Sequence, residues 1–127
     1  MVDSPAKSSQ LYQEARRLMN AGNLQEAILL FQQSIALSPH FKALELLGEC
    51  YIRLGRLTEA IVPLAAATTL NRGVRAPALL AEAFLQLGEH ERAQESAEVA
   101  LKRDPNNKRA LNVQKQLWEI GKERGMS

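Results

Sequence analysis

The apolar positions of this chain fall into helical steps, and the helical stretches come in pairs. Leu11, Ala15, Leu18 and Ala21 recur at three- and four-residue spacing, which lines one face of a helix. Gly22 follows as a residue suited to the left-handed conformation in which helices commonly close. A second helix is predicted from about Leu24 to Leu37, with Ala27, Leu30, Phe31, Ser34 and Ile35 on its inner face. Ser38-Pro39 stops it, because proline disfavours the helical conformation in the residue before it. The next pair begins with Leu44, Leu47, Gly48 and Tyr51 and closes at Leu54-Gly55. Thr58 is the predicted N-cap of its partner helix, which carries Ala60, Ile61, Leu64, Ala67 and Leu70. Pro63 lies near the start of that helix, where it removes one hydrogen bond without breaking the run. The third pair carries Ala76, Leu79, Leu80, Ala83 and Phe84, then Ala93, Ala97, Ala100 and Leu101, and ends at Asp104-Pro105-Asn106-Asn107. A last, unpaired helix from about Lys108 to Lys122 spreads Ala110, Leu111, Val113, Leu117, Trp118 and Ile120 over a wide arc. Trp118 is expected in the core, in the place that Tyr51 and Phe84 hold in their pairs.

The pairs are copies of one unit. Gly22, Gly55 and Gly88 lie 33 residues apart, and so do Ala27, Ala60 and Ala93, Leu18, Tyr51 and Phe84, and Ala15, Gly48 and Ala81. A fixed step of this size is the mark of a stacked repeat. The copies run over about 8–40, 41–73 and 74–107, followed by a capping helix at about 108–122. Residues 1–8 read as a flexible tail and 123–127 as a frayed end, so that 9–122 form one domain. The small residues at Ala15, Gly48 and Ala81 let the partner helix come close, opposite Ala27, Ala60 and Ala93. Glu14 stands where the later copies have Leu47 and Leu80, as expected of a polar terminal copy. The array is expected to be closed at both ends.

Composition narrows the functional classes. The chain has 127 residues, of which 46% are hydrophobic and 24% charged, the balance of a folded domain rather than a disordered one. A net charge of +2, without a basic run, gives no reason to expect nucleic acid as partner. No apolar run reaches the roughly 18 residues of a membrane span, and Met1 to Gln10 lacks the apolar segment of a secretory signal. Cys50 is the single cysteine and has no internal partner, which points to a reducing compartment, hence a cytoplasmic location. His40 and His90 are expected as solvated loop residues, since a catalytic base needs a positioned nucleophile or carboxylate. Metal-ligand spacing and a phosphate-binding loop are both lacking. Neither enzyme activity nor a cofactor is expected.

The array resembles tetratricopeptide repeats. The clearest copy is Leu47-Gly48-x-x-Tyr51-x-x-Leu54-Gly55-x-x-x-x-Ala60, with Pro39 and Pro105 as terminators. Its step is one residue shorter than the family's usual 34 or so, and the second copy ends in Asn71-Arg72-Gly73 without proline. The resemblance implies an all-α, right-handed superhelical solenoid of three antiparallel helix pairs with a seventh, capping helix. It also implies a concave groove, lined by the first helix of each pair, that takes a peptide segment or helix of another protein. The groove face comprises Tyr12, Arg16, Met19 and Asn20, then Lys42, Glu45, Glu49, Ile52 and Arg53, then Arg75, Ala78, Glu82, Leu85 and Gln86, and finally Arg109, Asn112 and Gln116. Tyr12, Met19, Ile52 and Leu85 are expected there as exposed apolar anchors. Glu45, Glu49 and Glu82 form an acidic strip bracketed by arginines, which fits a basic or mixed-charge ligand. Some members of the family clamp the terminal carboxylates of heat-shock chaperones. The matching places here hold Tyr12, Arg16, Leu46, Arg75 and Leu79, of which only Arg75 suits that task. The expected partner is thus another protein or peptide, bound by a monomer. Two alternatives are an assembly subunit that self-associates through the last helix and a regulatory piece of a larger protein.

Overall fold

Seven helices and no strand are found among the described residues, 4–125 of the computed structural model. They are α1 (Ser4–Asn20), α2 (Leu24–Leu37), α3 (Phe41–Arg53), α4 (Leu57–Leu70), α5 (Arg75–Gln86), α6 (His90–Arg103) and α7 (Lys108–Glu123). The pairs α1/α2, α3/α4 and α5/α6 pack most extensively, and each second helix also lies on the first helix of the next pair. α7 closes against α5 and α6.

The repeated glycines make the pairs possible. Gly22, Gly55 and Gly88 sit at φ of 87°, 75° and 78°, a left-handed conformation that a side chain would strain. Around each, two backbone bonds close the preceding helix in the same way. Gly22 N–H donates to the Met19 carbonyl at 3.0 Å and Asn23 N–H to Leu18 at 2.8 Å. The same two bonds recur from Gly55 to Ile52 and Arg56 to Tyr51, and from Gly88 to Leu85 and Glu89 to Phe84. This turn reverses the chain onto an alanine-lined seam. Ala15, Ala27, Ala60, Ala81 and Ala93 are each fully buried.

Three local readings change. α1 begins at Ser4, not Ser9, so most of the expected tail belongs to the fold. The reason is Ser8, which is buried and bonded to α2: its hydroxyl donates to the Ser34 carbonyl at 2.9 Å, and the Ser34 hydroxyl donates to the Ser8 carbonyl at 2.8 Å. The expectations for residues 1–3 and 126–127 lie outside the described residues. Thr58 is not the cap of α4. Arg56 precedes that helix, ties its first turn through Glu59 at 2.6 and 2.7 Å, and lies 4.9 Å over the Tyr51 ring. Pro63 is buried within α4, which continues across it.

The third change concerns Trp118, which is not core but 65% exposed. The 33-residue step from Phe84 leads to Leu117, and it is Leu117 that packs against the core. The same step leads on to Gly121, yet α7 runs through it and closes one turn later at Gly125, with φ 69°.

Candidate binding groove

The first helices share a surface that is tied together by charge. On α3, Lys42, Glu45, Glu49 and Arg53 recur at three- and four-residue steps, so one side of the helix carries two carboxylates flanked by two cations. Arg75 opens α5 and reaches across to both carboxylates, bonding Glu45 at 3.3 Å and Glu49 more closely still. Lys42 stands 3.5 Å from Glu45, and Arg53 3.9 Å from Glu49. Further along, Arg109 of α7 bonds Glu82 of α5 at 2.7 Å. Burial works to lower the Arg75 pKa, but the hydrogen bonds and charges of Glu49 and Glu45 outweigh it and hold the guanidinium above its ordinary value.

At the α1 end these helices leave a crevice of about 240 Å³, lined by Arg16, Met19, Asn20, Lys42, Leu46, Glu49 and Arg75. Leu46, unsuited to a carboxylate clamp, is thus part of the wall. Among the described residues the ion pairs here join Lys42, Arg53 and Arg75 to two carboxylates, Glu45 and Glu49, while Arg16, in the crevice wall, is in none. The acidic strip is therefore already matched within the protein, and the groove here carries an excess of positive charge.

The expected anchors are placed differently. Tyr12 is buried, its ring 6.0 Å from Phe31 and edge-on to His40 at 5.1 Å. Burial pushes its phenol above the ordinary range, against the opposing charge of Arg16. Met19 and Glu45 are buried too, and Ile52 and Leu85 are half-buried against the core. The physical reason is that neighbouring elements cover these positions, as Phe31 of α2 and His40 at the head of α3 cover Tyr12. Exposed side chains remain at Arg16, Arg53, Arg109 and Asn112, while Glu82 is half-buried.

The histidines also differ from expectation. His40 caps α3: its Nδ1 accepts from the Ala43 N–H at 3.4 Å, and burial lowers its pKa below 6.5. Only its place next to Phe41 at the head of a helical run could have shown this. His90 is the first residue of α6 and half-buried. Cys50 is buried, and its thiol is pushed up to about 11 chiefly by burial, which suits a packing residue and not a nucleophile. Among the described residues no group of three or more His, Cys, Asp or Glu is placed to hold a metal, and no helix is long and apolar enough to cross a membrane.

Family comparison agrees with this geometry. A tetratricopeptide repeat model matches residues 12–76 and 78–114, and the chain belongs to the tetratricopeptide repeat family. No curated protein matches it. Among solved structures, it is similar to the TPR domain of Arabidopsis OM64, with a TM-score of 0.87 at 17% identity over 92% of this chain and 98% of that one. It is also similar to the second TPR domain of human RPAP3 in complex with the HSP70 peptide SGPTIEEVD, with a TM-score of 0.81 at 19% identity over 90% and 94%. A third is the Yersinia enterocolitica type III secretion chaperone SycD in complex with a peptide of the translocator YopD, at 0.74 and 23% over 88% and 87%. These likenesses establish the all-α solenoid fold.

Proposed function

We propose that this protein is an interaction module that holds a segment of another protein along its first helices, without catalysis of its own. The observation that carries this is the crevice shared by α1, α3 and α5, where side chains from the first helices of three successive pairs converge on one space. Peptide complexes of RPAP3 and SycD, which have the same fold, are in keeping with it. The ligand chemistry follows from the charges. A basic segment would have to displace Arg75 from Glu45 and Glu49, whereas an acidic or mixed-charge segment meets Arg16, which is in no ion pair among the described residues, and the exposed side chains of Lys42 and Arg53. The carboxylate clamp of chaperone-binding relatives is not reproduced, because Tyr12 and Leu79 are buried and Arg75 is engaged.

Fluorescence polarisation against acidic, neutral and basic peptide sets tests this reading. Acidic or mixed-charge peptides should bind, and Arg16→Glu with Lys42→Glu should remove binding while the fold stays intact. Gln33, Thr69 and Glu98, exposed on the second helices, supply the control substitutions. Loss of binding from the control set alone would refute the groove.

A further inference from the structure

The outer edge of α7 is apolar, where an edge that meets water is expected to be polar. The 33-residue step places Leu111, Gln114 and Trp118 of α7 where α5 has Ala78, Ala81 and Leu85. In α3 the same places hold Glu45, Gly48 and Ile52, and in α1 they hold Tyr12, Ala15 and Met19. Throughout the first three pairs each of these positions is buried or half-buried. In α7, by contrast, Leu111 is 44% exposed and Trp118 65%. A lone exposed leucine is ordinary on a protein surface. A leucine and a tryptophan one above the other on one edge form a patch, and an end element that meets only water in such an array carries polar residues instead.

Charge tells what would cover the patch. Lys108, Lys115 and Lys122 alternate with Leu111 and Trp118 at three- and four-residue steps, so all five share one edge of the helix. All three lysines are exposed, and the ion pairs found among the described residues include none of them. Glu119, four residues after Lys115 and three before Lys122, lies beside the lysines on the side away from Leu111 and Trp118, and none of the ion pairs among the described residues includes it. Gln114 stands where the other first helices have Ala15, Gly48 and Ala81, so a guest helix cannot come as close as α4 does to α3. The longer Leu111 and Trp118 side chains bridge that wider gap.

We infer that this edge of α7 docks an amphipathic helix of another protein, with apolar residues flanked by aspartate or glutamate. The guest lies where the second helix of a fourth pair would lie. It is a helix because the matching edges of α1, α3 and α5 are covered by helices. It is acidic because three lysines in no ion pair lie nearer around the helix to Leu111 and Trp118 than Glu119 does. The site is separate from the groove, towards which α7 turns Arg109.

Trp118 is the single tryptophan, so its emission reports this edge directly. The full chain is titrated with two synthetic amphipathic helical peptides of equal length and identical apolar face, one flanked by glutamates and one by lysines. The glutamate peptide should bind saturably and shift Trp118 emission to the blue, with the lysine peptide about tenfold weaker or more. The double variant Lys115→Glu, Lys122→Glu should reverse that preference. By calorimetry, Leu111→Ala with Trp118→Ala should weaken the glutamate peptide about tenfold or more, with little change in melting temperature. Equal binding of both peptides, no emission shift, or unaltered binding by the alanine variant overturns the inference. So does light scattering that shows the chain dimerising with Trp118 buried, which gives the edge to a second copy. The groove variant Arg16→Glu should bind the glutamate peptide normally; loss there, with the α7 variants unaffected, also overturns it.

Discussion

A Cβ placed on Gly48 would stand 2.4 Å from Leu64 Cγ and 2.6 Å from its Cδ2, so α3 and α4 meet where only a hydrogen fits. Leu64 is itself fully buried. Gly48→Ala should therefore destabilise the fold by about 1–3 kcal/mol, despite alanine's better helix propensity. Ala60→Leu, at another fully buried seam position, should cost a similar amount. Urea unfolding measures both. In the double variant Gly48→Ala, Leu64→Ala, the loss should be smaller than the sum of the single losses, because the second change makes room for the first. Strict additivity would show that the two residues do not press on each other.

The reciprocal bonds of Ser8 and Ser34 yield a second expectation. Each hydroxyl donates to the other residue's carbonyl, and both residues are buried. Ser8→Ala removes one of the two bonds while the Ser34 hydroxyl keeps the Ser8 carbonyl, at a cost of about 0.5–1.5 kcal/mol. The pair Ser8→Ala, Ser34→Ala removes both polar groups and should be less harmful than the two single changes added together. Amide exchange over residues 4–10 should show protection comparable to the rest of α1. Rapid exchange there, with no effect of Ser8→Ala, would restore the tail reading.

The parts legible in the sequence are those fixed by local chemistry. Glycine at 22, 55 and 88 closes a helix by its own conformational freedom, and alanine at 27, 60 and 93 marks a close seam, so helix pairing and repeat step follow from residue types alone. The groove was harder to read because its exposure is set by neighbours far along the chain. Tyr12 is covered by Phe31 and His40, and Glu45 by Arg75, contacts that no helical wheel of a single helix displays. Trp118 was misplaced by one residue, and one residue is about 100° around a helix, enough to move a side chain from core to solvent. Ser8 was missed because a serine gives no hydrophobic signal even when its hydroxyl is fully engaged.

His40 couples the start of α3 to pH. Its Nδ1 must be unprotonated to accept the Ala43 N–H, and burial lowers its folded-state pKa below the ordinary 6.5. The unfolded chain then binds the proton more readily than the folded one, so the contribution is fully present above 6.5 and is lost as pH falls towards the folded value. His40→Asn keeps a capping acceptor that does not titrate, and should flatten stability between about pH 7 and 5. His40→Ala should cost about 1 kcal/mol at neutral pH by loss of the cap, with a further loss from the Tyr12 contact. An unchanged pH profile in His40→Asn would mean that another group governs this range.

Arg75 separates stability from binding in the groove. Glu45 is 5% exposed, and without Arg75 its remaining cation is Lys42 at 3.5 Å. Glu49 would keep Arg53 at 3.9 Å, so the two carboxylates would stand on one face of α3 with weaker compensation. The Arg75 side chain is 38% exposed, so solvent screens part of the effect, and Arg75→Ala should cost about 1–3 kcal/mol rather than the larger loss of a fully buried pair. Arg75→Lys retains the charge but not the fork that spans both carboxylates, and should fall between. Arg16→Ala and Arg53→Ala, at exposed positions, should each change stability by no more than about 0.5 kcal/mol. Thermal melts rank these variants before any ligand is added. If Arg75→Ala melts with the wild type, its bonds to Glu45 and Glu49 contribute nothing, and all three arginines are free to serve a ligand alike. If it melts lower while Arg16→Ala and Arg53→Ala do not, Arg75 is the strut of the groove and the other two are the groups a partner meets.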